Sequence, residues 1–173
     1  MASSSNHSGW YADKQLVPDE STVTSLALYK SLISNPLTDT TTKKTCYTKL
    51  VALLDSLPTV RAFNSQSADI SQNLYDLLLY RCTVHNELAA LYSQAGDVHN
   101  ASHYYDRTAR LYETLIKFVT KSGNNDYGSV HAVFESLEQT LKQWIGVEEA
   151  IGRKTKAAKL SARVEKLQAQ MIK

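Results

Sequence analysis

Three observations predict an all-α fold, an antiparallel helical bundle or hairpin array of about six helices. Apolar residues recur at 3-4 spacing through most of the 173-residue chain, as they do in helices that bury one stripe. Six Gly and three Pro are few, and Pro18, Pro36 and Pro58 all precede residue 60, which disfavours a many-turned β fold. Hydrophobic residues make up 43% and charged residues 21%, an ordinary globular composition in a length that suits one domain with a sizeable core.

Residues 1–17 are Ser-rich and aperiodic, and read as a flexible amino-terminal arm. Trp10 and Tyr11 give that arm a sharper reading, an aromatic anchor that docks on this domain or on a partner. The helical domain spans 18–151. Pro18-Asp19-Glu20-Ser21 reads as a helix start, with Val23, Leu26, Ala27, Lys30 and Ile33 on one face and Asn35-Pro36 at its end. A second helix begins near Asp39, carries Cys46, Leu50, Leu53, Leu54 and Leu57, and stops at Pro58. A polar connection follows to Ser67. The third helix is expected from about Asp69 to Gln94, with Leu74, Leu77, Leu78, Cys82, Leu88 and Leu91 on its apolar side. The fourth runs from Val98 to Lys121, with Val98, Ala101, Tyr105, Thr108, Tyr112, Leu115 and Val119 at 3-4 spacing. Ser122 to Asp126 is a break. The fifth carries Val130, Val133, Phe134, Leu137, Leu141, Trp144 and Ile145, and Gly146 and Gly152 predict a kink or short turn after it.

The chain is organised around the stretch 85–112. Leu88, Ala89 and Tyr92 lead up to Gly96-Asp97, and Ala101 and Tyr105 lead away. Gly96 suits a tight helix end, Asp97 a helix cap, and the small Ala89 and Ala101 a close crossing. This hairpin resembles a tetratricopeptide repeat, whose central Gly-Asp and signature positions Leu88, Ala89, Tyr92, Gly96, Ala101 and Tyr105 match. It departs at His85, where the repeat has an aromatic residue, at Thr108, where it has Ala, and at Glu113, where it has Pro. The pattern is also similar to the microtubule-interacting and trafficking domain. No second copy stands out at a fixed period, and an echo around Gly152 and Ala157 lies too far downstream for a regular array. In the tetratricopeptide family the first helix of each repeat lines a concave face. The resemblance therefore implies that Thr83, Asn86, Ala90 and Ser93 face a partner-binding groove.

Residues 152–173 form a basic amphipathic helix. From Arg153 onward seven basic residues oppose Glu165 alone, a charge of +6 against +2 for the whole chain. Ala157, Leu160, Val164, Leu167 and Met171 form a narrow seam that must lie on the body or on a partner helix. Leu160, Val164 and Leu167 are read as partner-binding. Protein is the expected partner rather than nucleic acid, because the segment has no aromatic residue to stack bases.

Signals of chemistry are sparse. His99 and His103 share a helix face at i, i+4, but no metal-site frame accompanies them. Cys82 and His85 lie in a Leu-rich stripe and read as core. Glu148-Glu149 and Glu135-x-x-Glu138 are acidic pairs without a sign of a cleft. The expectation is a non-enzymatic adaptor or scaffold without cofactor or metal. It binds a partner protein through the hairpin and the last helix. A permanent structural subunit, or a trafficking-domain-like peptide binder, is the alternative. No apolar run spans a membrane and no secretory signal is evident, so the expected location is cytoplasmic, with the nucleus also open.

Overall fold

The computed structural model describes residues 20–57, 72–121 and 127–171. Among these, six helices and no strand are present: α1 (Glu20–Ser34), α2 (Thr40–Ser56), α3 (Gln72–Gln94), α4 (Val98–Lys121), α5 (Tyr127–Ala150) and α6 (Lys154–Met171). The amino-terminal arm, the Pro18-Asp19 start and Pro58 lie outside the described residues.

Each helix packs principally on the helices before and after it in sequence. The chain therefore forms three successive hairpins, with α3 against α4 as the broadest contact. The stripes read from the sequence are the buried ones. Cys46, Leu50 and Leu54 are buried on α2, and Ala101, Tyr105, Thr108, Tyr112, Leu115 and Val119 on α4. On α5 the buried set includes Val133, Leu137, Leu141 and Trp144. In α1 the expected face is only partly right. Leu26 alone is fully buried, and Ala27 points to solvent.

The turns explain the helix ends. Asp39 caps α2 by accepting the Thr42 N–H at 2.9 Å, which satisfies one of the unpaired donors of a first turn. At the α3–α4 turn Gly96 has φ +74°, the Gly96 N–H donates to the Ser93 carbonyl, and the Asp97 N–H donates to that of Tyr92. This is a Schellman ending, and a residue with a Cβ is strained at that φ. The α5–α6 turn repeats it. Gly152 has φ +77°, its N–H donates to Glu149, and the Arg153 N–H donates to Glu148.

That second turn falls at the echo the sequence shows around Gly152 and Ala157. Gly96 and Gly152 stand 56 residues apart, and the same offset relates buried Ala101 to buried Ala157 and buried Leu88 to buried Trp144. The unit is longer than an ordinary 34-residue repeat because α3, α4 and α5 have 23, 24 and 24 residues. Gly146 does not break α5, which runs through it to Ala150.

Candidate binding groove

The first helices of the three hairpins approach one another through side chains: residues of α1 and α3 line a common cleft, and Thr140 of α5 donates to Asn86 of α3. Between α1 and α3 a cleft of about 280 Å³ opens, floored by Leu50 of α2 and Val84 of α3. Ile33, Tyr47 and Tyr80 form its walls, and Lys30, Ser34, Thr83 and Glu87 its rim. The floor is apolar because Leu50 and Val84 belong to the core, while the tyrosines keep apolar ring bodies inside and hydroxyls near water. Burial pushes the hydroxyls of Tyr47 and Tyr80 above their ordinary value, and the Glu87 carboxylate adds to this at Tyr47.

Lys30 is the unusual member. Its ammonium lies 4.3 Å from the Tyr80 ring centroid, a cation–π contact. Burial lowers its pKa. Among the described residues no carboxylate lies within ion-pair distance of it, whereas Lys142 and Arg110 each have one.

The expected groove residues do not form a single pocket. Thr83 lines the cleft. Asn86 lies on the opposite flank of α3, where its side-chain oxygen accepts the Thr140 hydroxyl of α5 at 3.1 Å. Ala90 and Ser93 are half-exposed nearer the turn. Leu160, Val164 and Leu167 are buried within this chain, where α6 packs on α5. The seam has therefore found its partner in the chain's own body, and these three side chains are not open to another molecule. The hairpin residues fare better: Leu88, Ala89 and Ala101 are fully buried and Tyr105 nearly so. Tyr92 is half-exposed and stacks on Tyr104 at 5.4 Å beneath the Lys44 ammonium.

Sequence reasoning missed Lys30, Tyr47, Tyr80 and Glu87 as site residues. The available signal was a lysine on the apolar face of α1 with no acid at i±3 or i±4.

The remaining ionisable groups in the interior tie helices together. Asp55 of α2 accepts from Arg81 of α3 at 2.9 Å and from Arg107 of α4 at 2.6 Å, with His85 Nε2 at 3.2 Å. Burial opposes the Asp55 charge, but the hydrogen bonds from His85 and Arg81 and the nearby cations outweigh it and hold its carboxyl well below the usual range. His85, fully buried, is thus the polar partner of a carboxylate on the preceding hairpin. Burial pushes the Cys82 thiol up to about 12, which leaves no useful thiolate at neutral pH. His99 and His103 are exposed, and among the described residues no group of three or more His, Cys, Asp or Glu gathers as metal ligands do. No described helix is long and apolar enough to cross a membrane.

No family model matches the chain, and no curated protein or solved structure is significantly similar to it.

Proposed function

We propose that this protein is a non-catalytic helical adaptor, tetratricopeptide-like in architecture, that holds a partner protein's segment in the α1–α3 cleft. The observation that carries this reading is the lining. An apolar floor between aromatic walls suits a bulky side chain, and the half-buried, acid-free Lys30 at the rim suits a carboxylate beside it. The segment is therefore one that presents an aromatic or large aliphatic residue followed closely by an acidic group. The repeated Schellman turns and the side-chain approach of α1 to α3 and of α3 to α5 support the tetratricopeptide-like part of the reading. The intracellular location proposed for such an adaptor is the cytoplasm.

A permanent structural subunit is the second reading, favoured by Leu37 and Leu28, which are 90% and 55% exposed at the first hairpin. Site-specific photo-cross-linking separates the two. A benzophenone side chain at Thr83 is expected to capture a partner that the same group at Leu37, or at exposed Ala162 on α6, does not. Capture from Leu37 alone overturns the cleft reading in favour of the subunit.

A further inference from the structure

The cleft asks for an aromatic side chain with a carboxylate nearby, and this chain carries such a segment itself, in Trp10-Tyr11-Ala12-Asp13. We infer that Trp10–Asp13 is the cleft's intramolecular ligand, with Trp10 on the Leu50–Val84 floor and Asp13 paired with Lys30, so that a partner binds by displacing it. This inference rests on the cleft being a docking site.

Three observations carry it. The first is reach. α1 begins at Glu20 and its cleft-lining residues start at Lys30, about 15 Å along the helix axis. The seven-residue step from Asp13 to Glu20 spans up to about 23 Å when extended, so the segment can fold back alongside α1 and bring Asp13 to Lys30. The second is size. At about 280 Å³ the cleft lies just below the range of pockets that enclose whole small ligands, about 300–1,000 Å³. It seats one large side chain rather than a helix. The third is charge. Lys30 has no acid among the described residues, and Glu87 stands across the cleft from it. Asp13-Lys14 offers the complementary order of one acid and one base.

The consequence is a tethered competitor. A linker of this length holds its ligand at a millimolar effective concentration, enough to suppress weak partners while strong ones enter.

The test uses the full chain and a fluorescein-labelled, amidated peptide of residues 8–15 as probe, with binding read by fluorescence anisotropy. The Trp10→Ala chain is expected to bind the peptide, and the unsubstituted chain to bind it about tenfold or more weakly, because its own segment is in place. Lys30→Gln or Thr83→Arg, each added to the Trp10→Ala chain, should remove binding while thermal melting stays cooperative. An Asp13→Asn peptide, which needs no folded variant, should bind more weakly. Equal binding by the unsubstituted and Trp10→Ala chains overturns the inference, as does binding indifferent to Lys30→Gln and Asp13→Asn, or no binding at all. A partner that still cross-links from Thr83 in any of those cases leaves the docking site standing and removes only its intramolecular occupant.

Discussion

The ammonium of Lys156 lies 2.8 Å from Glu148 Oε1, and that carboxylate has no solvent exposure. The same oxygen accepts the Trp144 indole N–H at 2.7 Å and the Ser102 hydroxyl, so α4, α5 and the first turn of α6 converge on one buried charge. Arg153 stands 3.6 Å from the other oxygen. Lys156→Gln should destabilise the protein by about 2 kcal/mol. That is below the 3–5 kcal/mol typical of a broken buried pair, because Lys156 is partly wet and Arg153 remains. Lys156→Arg should recover most of the loss. Urea denaturation measures both, and a loss under a few tenths of a kcal/mol for Lys156→Gln would contradict the pairing.

The two interior carboxylates set the acid limit of the fold. Burial opposes the charge of Glu148, but hydrogen bonds from Lys156, Ser102 and Trp144 lower its pKa from 4.5, and Asp55 is lowered from 3.8. Both groups hold a proton more weakly folded than unfolded. Their stabilisation is therefore complete above the unfolded values and is lost as pH falls through the folded ones. Unfolding free energy should be level between pH 7 and about 5.5 and decline steadily below about 4.5. The Asp55→Asn variant should be less stable at pH 7 and show a shallower decline. An equal slope would remove Asp55 from the acid transition.

Ala101 and Ala157 occupy equivalent places in two hairpins, both buried where the helices cross. Ala101→Leu and Ala157→Leu should each overpack its crossing and cost about 1–3 kcal/mol. The unfolding midpoints of the two variants test the equivalence. A neutral Ala157→Leu would show that the third hairpin crosses more loosely than the second.

Cys46 and Cys82 are free and buried. An aromatic disulfide reagent should label neither thiol in the native protein within an hour at neutral pH and both on unfolding in urea. For Cys82 the raised pKa adds to steric protection. Rapid native labelling of Cys82 would contradict its place in the core.

The stripes of α2, α4 and α5 were legible because a period of 3.6 is a local property of sequence. The interior charges were not. Asp55 meets Arg81, His85 and Arg107 at separations of 26, 30 and 52 residues, and no local pattern records such pairings. The 56-residue offset was legible only as an echo around Gly152 and Ala157, for a related reason. Few positions 56 apart keep their identity, among them Gly96 with Gly152 and Ala101 with Ala157, while Tyr92 gives way to Glu148 and His85 to Leu141. The cleft is assembled from three helices, so Thr83 was visible as a helix-face residue and its companions Lys30, Tyr47 and Tyr80 were not. The seam of α6 was read correctly as apolar, yet Leu160, Val164 and Leu167 were assigned to a partner, because no local pattern records that α6 packs on α5.

The packing of each helix on its sequence neighbours has a kinetic consequence. Contacts of short sequence separation are formed at small entropic cost, so the search for the native state is a local one and rapid refolding is expected for the topology. Growth can start at the α3–α4 pair, where contact is broadest, and spread outward one helix at a time, as in a one-dimensional chain of coupled units. The same coupling makes the outermost helices the first to leave on warming, and α1, with Leu26 as its one fully buried residue, has the least to lose.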